Sequence, residues 1–200
     1  MSAGVHATRV EEYLARYRTG FFPFQDPWTG AFCWARYRVR AIIPLDDAVV
    51  ARVRKVGQRA LGKFEIVRDR HFDEIMEHLT GGEIYPDTWV IPEVVAIYRA
   101  LREAGRLVTV EAIRDGRLAG ALVGVDLGRV FVAETMYHLE SDASKACLCQ
   151  VLLDCRSRGY AFVDVQMPHE PDHPSTRLGE IVISHEEFLR KMAAALQSLA

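Results

Sequence analysis

Three polar side chains stand at the ends of apolar strands and are the residues best suited to chemistry. Glu134 follows the β-branched and aromatic run 130–132, while Asp164 and Gln166 belong to the run FVDVQ. Alternation along a strand puts Asp164 and Gln166 on one face together with Phe162. An unpaired buried carboxylate or amide costs on the order of 1 to 3 kcal/mol, so these groups need polar partners. A catalytic site and a structural hydrogen-bond network both satisfy that need, and the residues alone favour neither.

Aromatic residues form a second group with two possible roles. Such rings most often fill a core, but nucleobases also stack on them for about 1 to 3 kcal/mol each. The residues concerned are Phe21, Phe22, Phe24, Trp28, Trp34 and Trp89.

The elements that must position these residues are clearest from Pro92 onward. PEVVAIYRALREAG predicts a helix, and three strands separated by tight turns follow as an antiparallel meander. The segment SKACLCQVLLDCRSRG has helical apolar spacing, YAFVDVQM predicts a strand, and Ser184 with Glu187 predicts the capping box of a last helix. This α+β order is that of the acetyltransferase-type (GNAT) fold, in which the strand after the second main helix lies beside the meander.

The first third of the chain predicts a smaller, irregular unit. A helix leads into GFFPFQDPWTG, where Gly, Pro and aromatic residues favour a loop. RAIIP and KFEIV predict short strands around a basic helical stretch, and Asp69 is a candidate N-cap for the helix DRHFDEIMEHL. We expect a small N-terminal α/β domain over residues 1–62 and a GNAT-like domain over residues 63–200.

Charge is segregated along the chain. Residues 1–70 carry 13 Lys and Arg against 7 Asp and Glu, and the remainder carries 12 against 20. A basic N-terminal third can hold an anionic partner, although a solvated basic face is the commoner cause of such a bias. No apolar run is long enough to cross a membrane, no signal-peptide core is present, and the four cysteines form no C-x-x-C pair. We expect a cytoplasmic protein with reduced thiols and no membrane partner.

Two textual matches to known motifs fail on structural grounds. HEPDH, residues 169–173, fits H-E-x-x-H, but Pro168, Pro171 and Pro174 oppose the helix that would put both His on one face. RSRGYA, residues 156–161, fits an acyl-CoA pyrophosphate loop, but there Gly159 is predicted to end a helix instead of leading into one. We therefore expect neither a zinc site nor a CoA donor.

The chain resembles the leucyl/phenylalanyl-tRNA protein transferases. Its blocks GFFPF, DTWV, AETMY, ASKACL, DVQ and DHPSTRLGEI follow the order of the family blocks G-Y-F-P, T-W-I, G-E-S-M-F, A-S-K-x-A-L, D-x-Q, and D-H followed by S-L-G. The resemblance implies transfer of an amino acid, Leu or Phe, from aminoacyl-tRNA to the N-terminal amine of a protein bearing Arg or Lys, which marks that protein for degradation. It implies no cofactor and no metal, and we favour a monomer.

The resemblance also assigns roles to individual residues. Trp34 and Trp89 match the tryptophans around the terminal adenosine of the tRNA. Met136 and Tyr137 lie where the pocket for the donated side chain forms. Asp164 and Gln166 match a pair that handles the attacking amine.

Acceptor and phosphate contacts complete the expected site. Glu134 matches the family's carboxylate on the acceptor side, and Glu111 is retained where the family also has a carboxylate. Because a carboxylate can orient a neighbouring amide, we expect Asp164 to fix the Gln166 amide so that its carbonyl oxygen receives the amine. The expected phosphate contacts are Arg36, Arg38, Arg40, Arg52, Arg54 and Lys55.

Departures from the family leave two alternatives open. The family's His and Trp in H-S-V-E-V-W are replaced by Val108 and Ile113, and Ala133 and Thr135 flank Glu134 where Gly and Ser are usual. One alternative keeps the aminoacyl-tRNA donor but uses a small-molecule or peptide amine as acceptor. The other is a non-catalytic module that binds the tRNA end or the N-degron.

Overall fold

A seven-stranded mixed sheet with helices on both faces organises the molecule. The computed structural model describes residues 3–81 and 88–197, with side chains from residue 7 onward, so Asp87 of the DTWV block lies outside the described residues. The elements of the first half are α1 Ala3–Arg18, β1 Phe22–Gln25, β2 Phe32–Ala35, β3 Val39–Pro44, α2 Asp47–Arg52, a π-helical turn Val53–Gly57, α3 Gln58–Leu61, β4 Glu65–Arg68 and α4 Phe72–Leu79. Those of the second half are α5 Pro92–Glu103, β5 Leu107–Arg114, β6 Arg117–Asp126, β7 Val130–His138, α6 Ala143–Ser157, β8 Phe162–Gln166, α7 Pro174–Arg177, β9 Ile181–Ser184 and α8 His185–Gln197.

The strand order of the sheet is β4-β5-β6-β7-β8-β3-β9. Strands β7 and β8 are parallel, and all the other neighbouring strands of this sheet are antiparallel. The predicted meander is therefore confirmed as β5, β6 and β7. The predicted placement of the last long strand beside the meander is also confirmed, because β8 pairs with β7. The α+β class is confirmed, and the closer likeness to the GNAT fold stays a prediction.

Apolar spacing explains how the helices pack on the sheet. In α5, Pro92 opens the first turn, and Val94, Ile97, Tyr98 and Leu101 form one buried stripe at helical spacing. Helices α1, α4, α5 and α8 cover one face of the sheet. Helices α2, α3 and α6 cover the other face, where three buried free cysteines of α6 join the core. The sheet is thus buried on both sides, and polar groups within it need internal partners.

The N-terminal third differs from the expected small domain in two respects. The segment GFFPFQDPWTG was predicted to lack regular structure, but β1 and β2 form an antiparallel hairpin around the turn at Asp26. Strand β3 lies inside the main sheet between β8 and β9. The division into residues 1–62 and 63–200 stays a prediction, and the sheet crosses its boundary.

Helix ends confirm one predicted cap and correct another. Ser184 Oγ accepts the backbone N–H of Glu187 at 3.1 Å, which is one of the two hydrogen bonds of the predicted capping box. Asp69 does not cap α4, because its carboxylate accepts the backbone N–H of Thr109 at 2.8 Å and the N-cap position belongs to His71. Among residues 3–81 and 88–197, no helix has the length and apolar character to span a membrane.

Candidate active site

A cavity of about 210 Å³ opens where the β1–β2 hairpin meets the ends of β7 and β8. Its walls are aromatic and aliphatic, and a few polar groups interrupt them. The lining residues are Phe22, Phe24, Tyr37, Trp89, Leu122, Ala133, Glu134, Thr135, Met136, Leu148, Val165, Gln166, Met167, His169, His173 and Ser175. An apolar cavity with convergent polar groups is the usual form of a small-molecule site.

Strand β7 has a β-bulge at Glu134, which lines this cavity. Val123 pairs with Thr135 and the next residue, Gly124, pairs with Ala133, so Glu134 is the extra residue of the bulge. Bulges commonly redirect a side chain next to a functional site. Glu134 stays on the face of Val130 and Val132, where Tyr17 and Tyr98 pack, and the bulge reverses the alternation for the residues that follow it.

Backbone geometry at the end of β8 places Gln166 beside Glu134. The register shift between β3 and β8 makes Val165 a bulge residue, and Gln166 adopts a left-handed conformation with φ of 69°. Asp164 stabilises this turn, since its Oδ1 accepts the backbone N–H of Gln166 at 2.9 Å. A non-glycine residue in this region costs about 1 to 3 kcal/mol, and such strain concentrates at functional sites.

Arg40 neutralises Asp164 inside the protein. Its guanidinium donates to Asp164 Oδ2 at 2.5 Å and to the carbonyl of Gly20 at 3.2 Å, and it lies over the rings of Phe22 and Phe188. Arg40 is 1% exposed and Asp164 is fully buried. The expected phosphate contact at Arg40 is therefore corrected: this guanidinium is an internal counterion and is not available to an RNA backbone.

Glu134 accepts three hydrogen bonds. Its Oε2 receives the hydroxyl groups of Tyr17 at 2.9 Å and Tyr98 at 3.1 Å, and its Oε1 receives the side-chain amide of Gln166 at 2.6 Å. Burial raises the pKa of Glu134 to about 7, against the lowering effect of the two tyrosines and Arg40. Burial, followed by the nearby charge of Glu134, raises the pKa of Tyr17 and of Tyr98, so both hydroxyl groups stay protonated as donors.

The orientation of the Gln166 amide follows from these contacts. The carboxylate of Glu134 only accepts hydrogen bonds, so Gln166 turns its NH₂ group toward Glu134 and keeps its carbonyl oxygen for another partner. The expectation that Asp164 orients this amide is corrected, because Asp164 holds the backbone of Gln166 and Glu134 holds the side chain. No sequence signal pointed to Tyr17 and Tyr98 as the groups that fix Glu134.

The two expected adenosine-binding tryptophans lie in different surroundings. Trp89 lines the cavity, and its ring centroid lies 5.9 Å from that of Phe24. Trp34 belongs to strand β2 of the hairpin; its ring packs edge-on against Tyr17, and Arg16 lies over it at 5.1 Å. Of the two, only Trp89 is among the residues that line the cavity, and Trp34 packs on a tyrosine that binds Glu134; stacking of adenosine on either ring stays a prediction.

The side-chain pocket is only partly as predicted. Met136 lines the cavity, but its neighbour Tyr137 points to the other face of the sheet, is 1% exposed, and packs on His78 at 5.3 Å. This placement corrects the assignment of Tyr137 and follows from strand alternation. Further apolar lining residues missed by the sequence argument are Leu122, Leu148 and Val165.

Glu111 has a structural position away from the cavity. It is fully buried, and its Oε1 accepts the backbone N–H groups of Arg70 and His71 at 3.0 and 3.1 Å. The ring of His71 lies 2.8 Å from its Oε2. The expected acceptor role of Glu111 is corrected, because its oxygens anchor the segment before α4.

Five expected phosphate contacts remain at the surface. Their side chains are exposed. Arg36 and Arg38 lie between β2 and β3, and Arg52, Arg54 and Lys55 belong to α2 and the π-helical turn. Arg36 lies over the ring of Phe21 at 5.1 Å. Their role in binding RNA stays a prediction.

A histidine pair that the sequence argument set aside also reaches the cavity. No helix spans residues 169–173, as expected from the prolines, yet a turn stacks the rings of His169 and His173 with centroids 3.9 Å apart and planes 8° apart. Glu180 binds His169 through both carboxylate oxygens. One nitrogen or oxygen atom of a metal-ligand type from each of these three residues lies within 4.8 Å of the others, a spacing compatible with a shared cation.

Comparison with known proteins identifies the family of this chain. Residues 42–193 match the family described as leucyl/phenylalanyl-tRNA protein transferase. A leucyl/phenylalanyl-tRNA–protein transferase from Prosthecochloris aestuarii is 34% identical over 191 residues, which cover 94% of this chain and 95% of the relative. Another from Rubrobacter xylanophilus is 35% identical over 185 residues, which cover 90% of this chain and 91% of the relative.

A solved C-terminal DUF2156 domain from Agrobacterium fabrum has 11% identity and a TM-score of 0.43, and the match covers 92% of this chain and 66% of that one. Such a distant likeness supports no conclusion about the fold. The family match over most of the chain, together with relatives that align along almost their whole length, establishes that the chain belongs to the leucyl/phenylalanyl-tRNA protein transferase family.

Proposed function

We propose that the chain transfers leucine or phenylalanine from tRNA to the N-terminal amine of a protein that begins with Arg or Lys, and so marks that protein for degradation through an N-degron pathway. The observation that carries this proposal is the amide of Gln166, fixed by Glu134 on the wall of an apolar cavity with its carbonyl oxygen free to accept a hydrogen bond. The names of the relatives support the donor and the protein acceptor.

The donor end of the tRNA would occupy the apolar part of the cavity. Stacking of the terminal adenosine on Trp89 would contribute about 1 to 3 kcal/mol. The donated side chain would pack among Leu122, Met136 and Leu148, where a wholly aliphatic lining favours Leu or Phe over a polar amino acid. The exposed basic residues near the hairpin would contact the phosphates of the acceptor stem.

The chemistry needs positioning more than strong acid or base catalysis. The aminoacyl ester is already activated, so a neutral acceptor amine can attack its carbonyl carbon once it is held nearby. The carbon–nitrogen bond forms, the bond to the ribose 3′-oxygen breaks, and the proton lost by the amine is balanced by the proton gained by that oxygen. In this scheme Gln166 accepts an N–H of the amine, and Glu134 and Asp164 hold Gln166 in place.

The preference for a basic acceptor would come from Glu134. It is the one carboxylate among the described residues that line the cavity. Its ionised form makes the cavity attractive to a cation, and a pKa of about 7 keeps a substantial ionised fraction at neutral pH.

Transfer of labelled leucine from charged tRNA tests the proposal. We expect transfer to peptides beginning with Arg or Lys, little transfer to a peptide beginning with Asp, and none to an N-acetylated peptide. The variant Gln166→Met, which keeps the side-chain length but lacks the carbonyl, should lose most of the activity. Gln150→Met is the matched control, because the Gln150 amide binds Asp154 on α6 and lies outside the cavity.

Other outcomes would point to the alternatives. Transfer to small amines but not to peptides would contradict a protein acceptor. Tight binding of charged tRNA without transfer to any acceptor would contradict the enzymatic proposal itself.

A further inference from the structure

The tautomer of His173 is defined by one backbone contact. Its Nδ1 lies 3.2 Å from the backbone nitrogen of Ser175, whose N–H can only donate. Nδ1 therefore carries a lone pair, and a neutral imidazole with that arrangement carries its proton on Nε2. His173 lines the cavity, so its ring presents an N–H donor on the wall where the reaction is proposed to occur.

Neighbouring residues hold the plane of this ring. His169 stacks on it in nearly parallel orientation, with ring centroids 3.9 Å apart. His169 is held in turn by Glu180, whose two oxygens receive its backbone N–H at 3.0 Å and contact its Nδ1 at 2.7 Å. The Glu180 side chain is only 3% exposed, so this carboxylate fixes the stack from within the protein.

His173 stays neutral over the working pH range. Burial and the nearby His169 hold its pKa down to about 4, against the opposing effect of Asp172. A neutral imidazole does not readily give up its N–H proton, but that N–H is a good hydrogen-bond donor. The ring is therefore suited to stabilise negative charge on an oxygen without changing the proton balance of the reaction.

We propose that His173 is a catalytic residue whose Nε2–H donates a hydrogen bond to the carbonyl oxygen of the aminoacyl ester. This inference rests on the proposed function. As the acceptor amine attacks, the electron pair of the carbonyl bond moves onto that oxygen, and a fixed donor stabilises the charge that develops. The pair returns when the ribose 3′-oxygen departs. His169 and Glu180 are positioning residues that act through the ring of His173.

A bound metal ion fits these residues less well. Both oxygens of Glu180 and the Nδ1 of His173 already form hydrogen bonds within the loop. A cation at Nε2 of His173 would require that nitrogen to lose its proton, and a cation at Glu180 would compete with the contacts to His169. The parallel stacking of the two rings also differs from the converging nitrogens that a tetrahedral zinc site requires.

The test pairs one variant with two stable analogues of the tRNA end. One aminoacyl-adenosine analogue keeps the carbonyl in a 3′-amide, and the other replaces the carbonyl by CH₂ in a 3′-ether. We expect the wild-type protein to bind the amide roughly 10-fold more tightly than the ether, and His173→Phe, which keeps a ring for stacking, to bind both about equally. In single-turnover transfer, His173→Phe should be slower by roughly 10- to 100-fold while its affinity for charged tRNA changes little.

Two further variants separate catalysis from structure. His78→Phe is the matched control, since His78 packs against Tyr137 and is not among the cavity-lining residues, and it should match the wild type. His173→Gln restores an N–H donor near the Nε2 position and should recover part of the rate. If His173→Phe does not fold, His173→Leu replaces it in the same comparison.

The outcomes are distinct. Failure of the wild type to transfer leucine to any peptide would refute the proposed function, while the analogue comparison would still test His173. Equal loss of affinity for both analogues, or wild-type turnover in His173→Phe, would overturn the inference. Stoichiometric zinc in the wild-type protein, absent from His173→Phe and required for activity, would replace it with a metal site.

Discussion

Removal of the Arg40 guanidinium should destabilise the protein strongly without weakening its electrostatic attraction to RNA. Arg40→Met keeps much of the stem that packs on Phe22 and Phe188 but leaves Asp164 charged in a fully buried position. Breaking a buried pair by removing one partner costs about 3 to 5 kcal/mol, and the carbonyl of Gly20 loses a donor worth about 1 kcal/mol more. That is a large part of the roughly 5 to 15 kcal/mol that stabilises a typical domain.

The double variant distinguishes an ion pair from simple packing. Arg40→Met with Asp164→Asn removes both charges, so it should be more stable than Arg40→Met alone by about 2 kcal/mol, because replacement of a whole buried pair is often nearly neutral. Urea unfolding at pH 7 measures both differences in the free energy of unfolding, and the m-value should be the same in all variants. Additive losses, or a loss below about 1 kcal/mol for Arg40→Met, would refute the assignment of an internal counterion.

Salt dependence of tRNA binding completes this test. The matched control is Arg38→Met, an exposed arginine two residues earlier in the chain. If Arg38 contacts a phosphate, its loss should lower the slope of log affinity against log salt by about 1 and change stability by less than about 0.5 kcal/mol. Arg40→Met should leave that slope unchanged, and a reduced slope would return Arg40 to the RNA surface.

Three further predictions concern residues that line the cavity. Trp89→Ala should weaken binding of charged tRNA by about 1 to 3 kcal/mol with little change in Tm, and the reverse pattern would assign Trp89 to the core. Because the pKa of Glu134 is raised from 4.5 to about 7, the native state binds its proton more tightly than the unfolded state, so the free energy of unfolding should fall as pH rises through that window. Urea unfolding at pH 5, 6, 7 and 8 should show this fall in the wild type, and Glu134→Gln should lack it. Met136→Ala should shift donor preference toward Phe over Leu by roughly 10-fold in competing transfer assays, and an unchanged ratio would place the donated side chain elsewhere.

Local sequence patterns predicted the structure correctly where a feature depends on a single helix, strand or turn. The stripe of α5 and the turns of the meander are short-range signals, and both agree with the structure. The grouping of Glu134 and Gln166 followed from polar residues at strand ends, because β7 and β8 lie side by side. Tyr137 was within reach of the same reasoning, since a residue next to Met136 on a strand points to the opposite face.

Other features depend on contacts between distant parts of the chain. Arg40 belonged to a run of basic residues, and nothing in that run shows that one of them is buried against Asp164, 124 positions later. Tyr17 and Tyr98 lie on two helices that meet only in the folded state, so their convergence on Glu134 had no local signal. The histidine stack arises from a turn, while the motif it resembled requires a helix.

The position of β3 within the sheet has a consequence for synthesis of the chain. Its two neighbours, β8 and β9, are formed by residues 162–166 and 181–184, near the end of the polypeptide. At about 5 to 20 residues per second, roughly 6 to 25 s separate the emergence of Arg40 from that of Asp164. Throughout that interval β3 is an unpaired apolar strand, and Asp164 and Gln166 have not yet been synthesised. We expect a nascent chain to expose this strand to chaperones and to gain its affinity for charged tRNA in a single late step, when the last strands close the sheet.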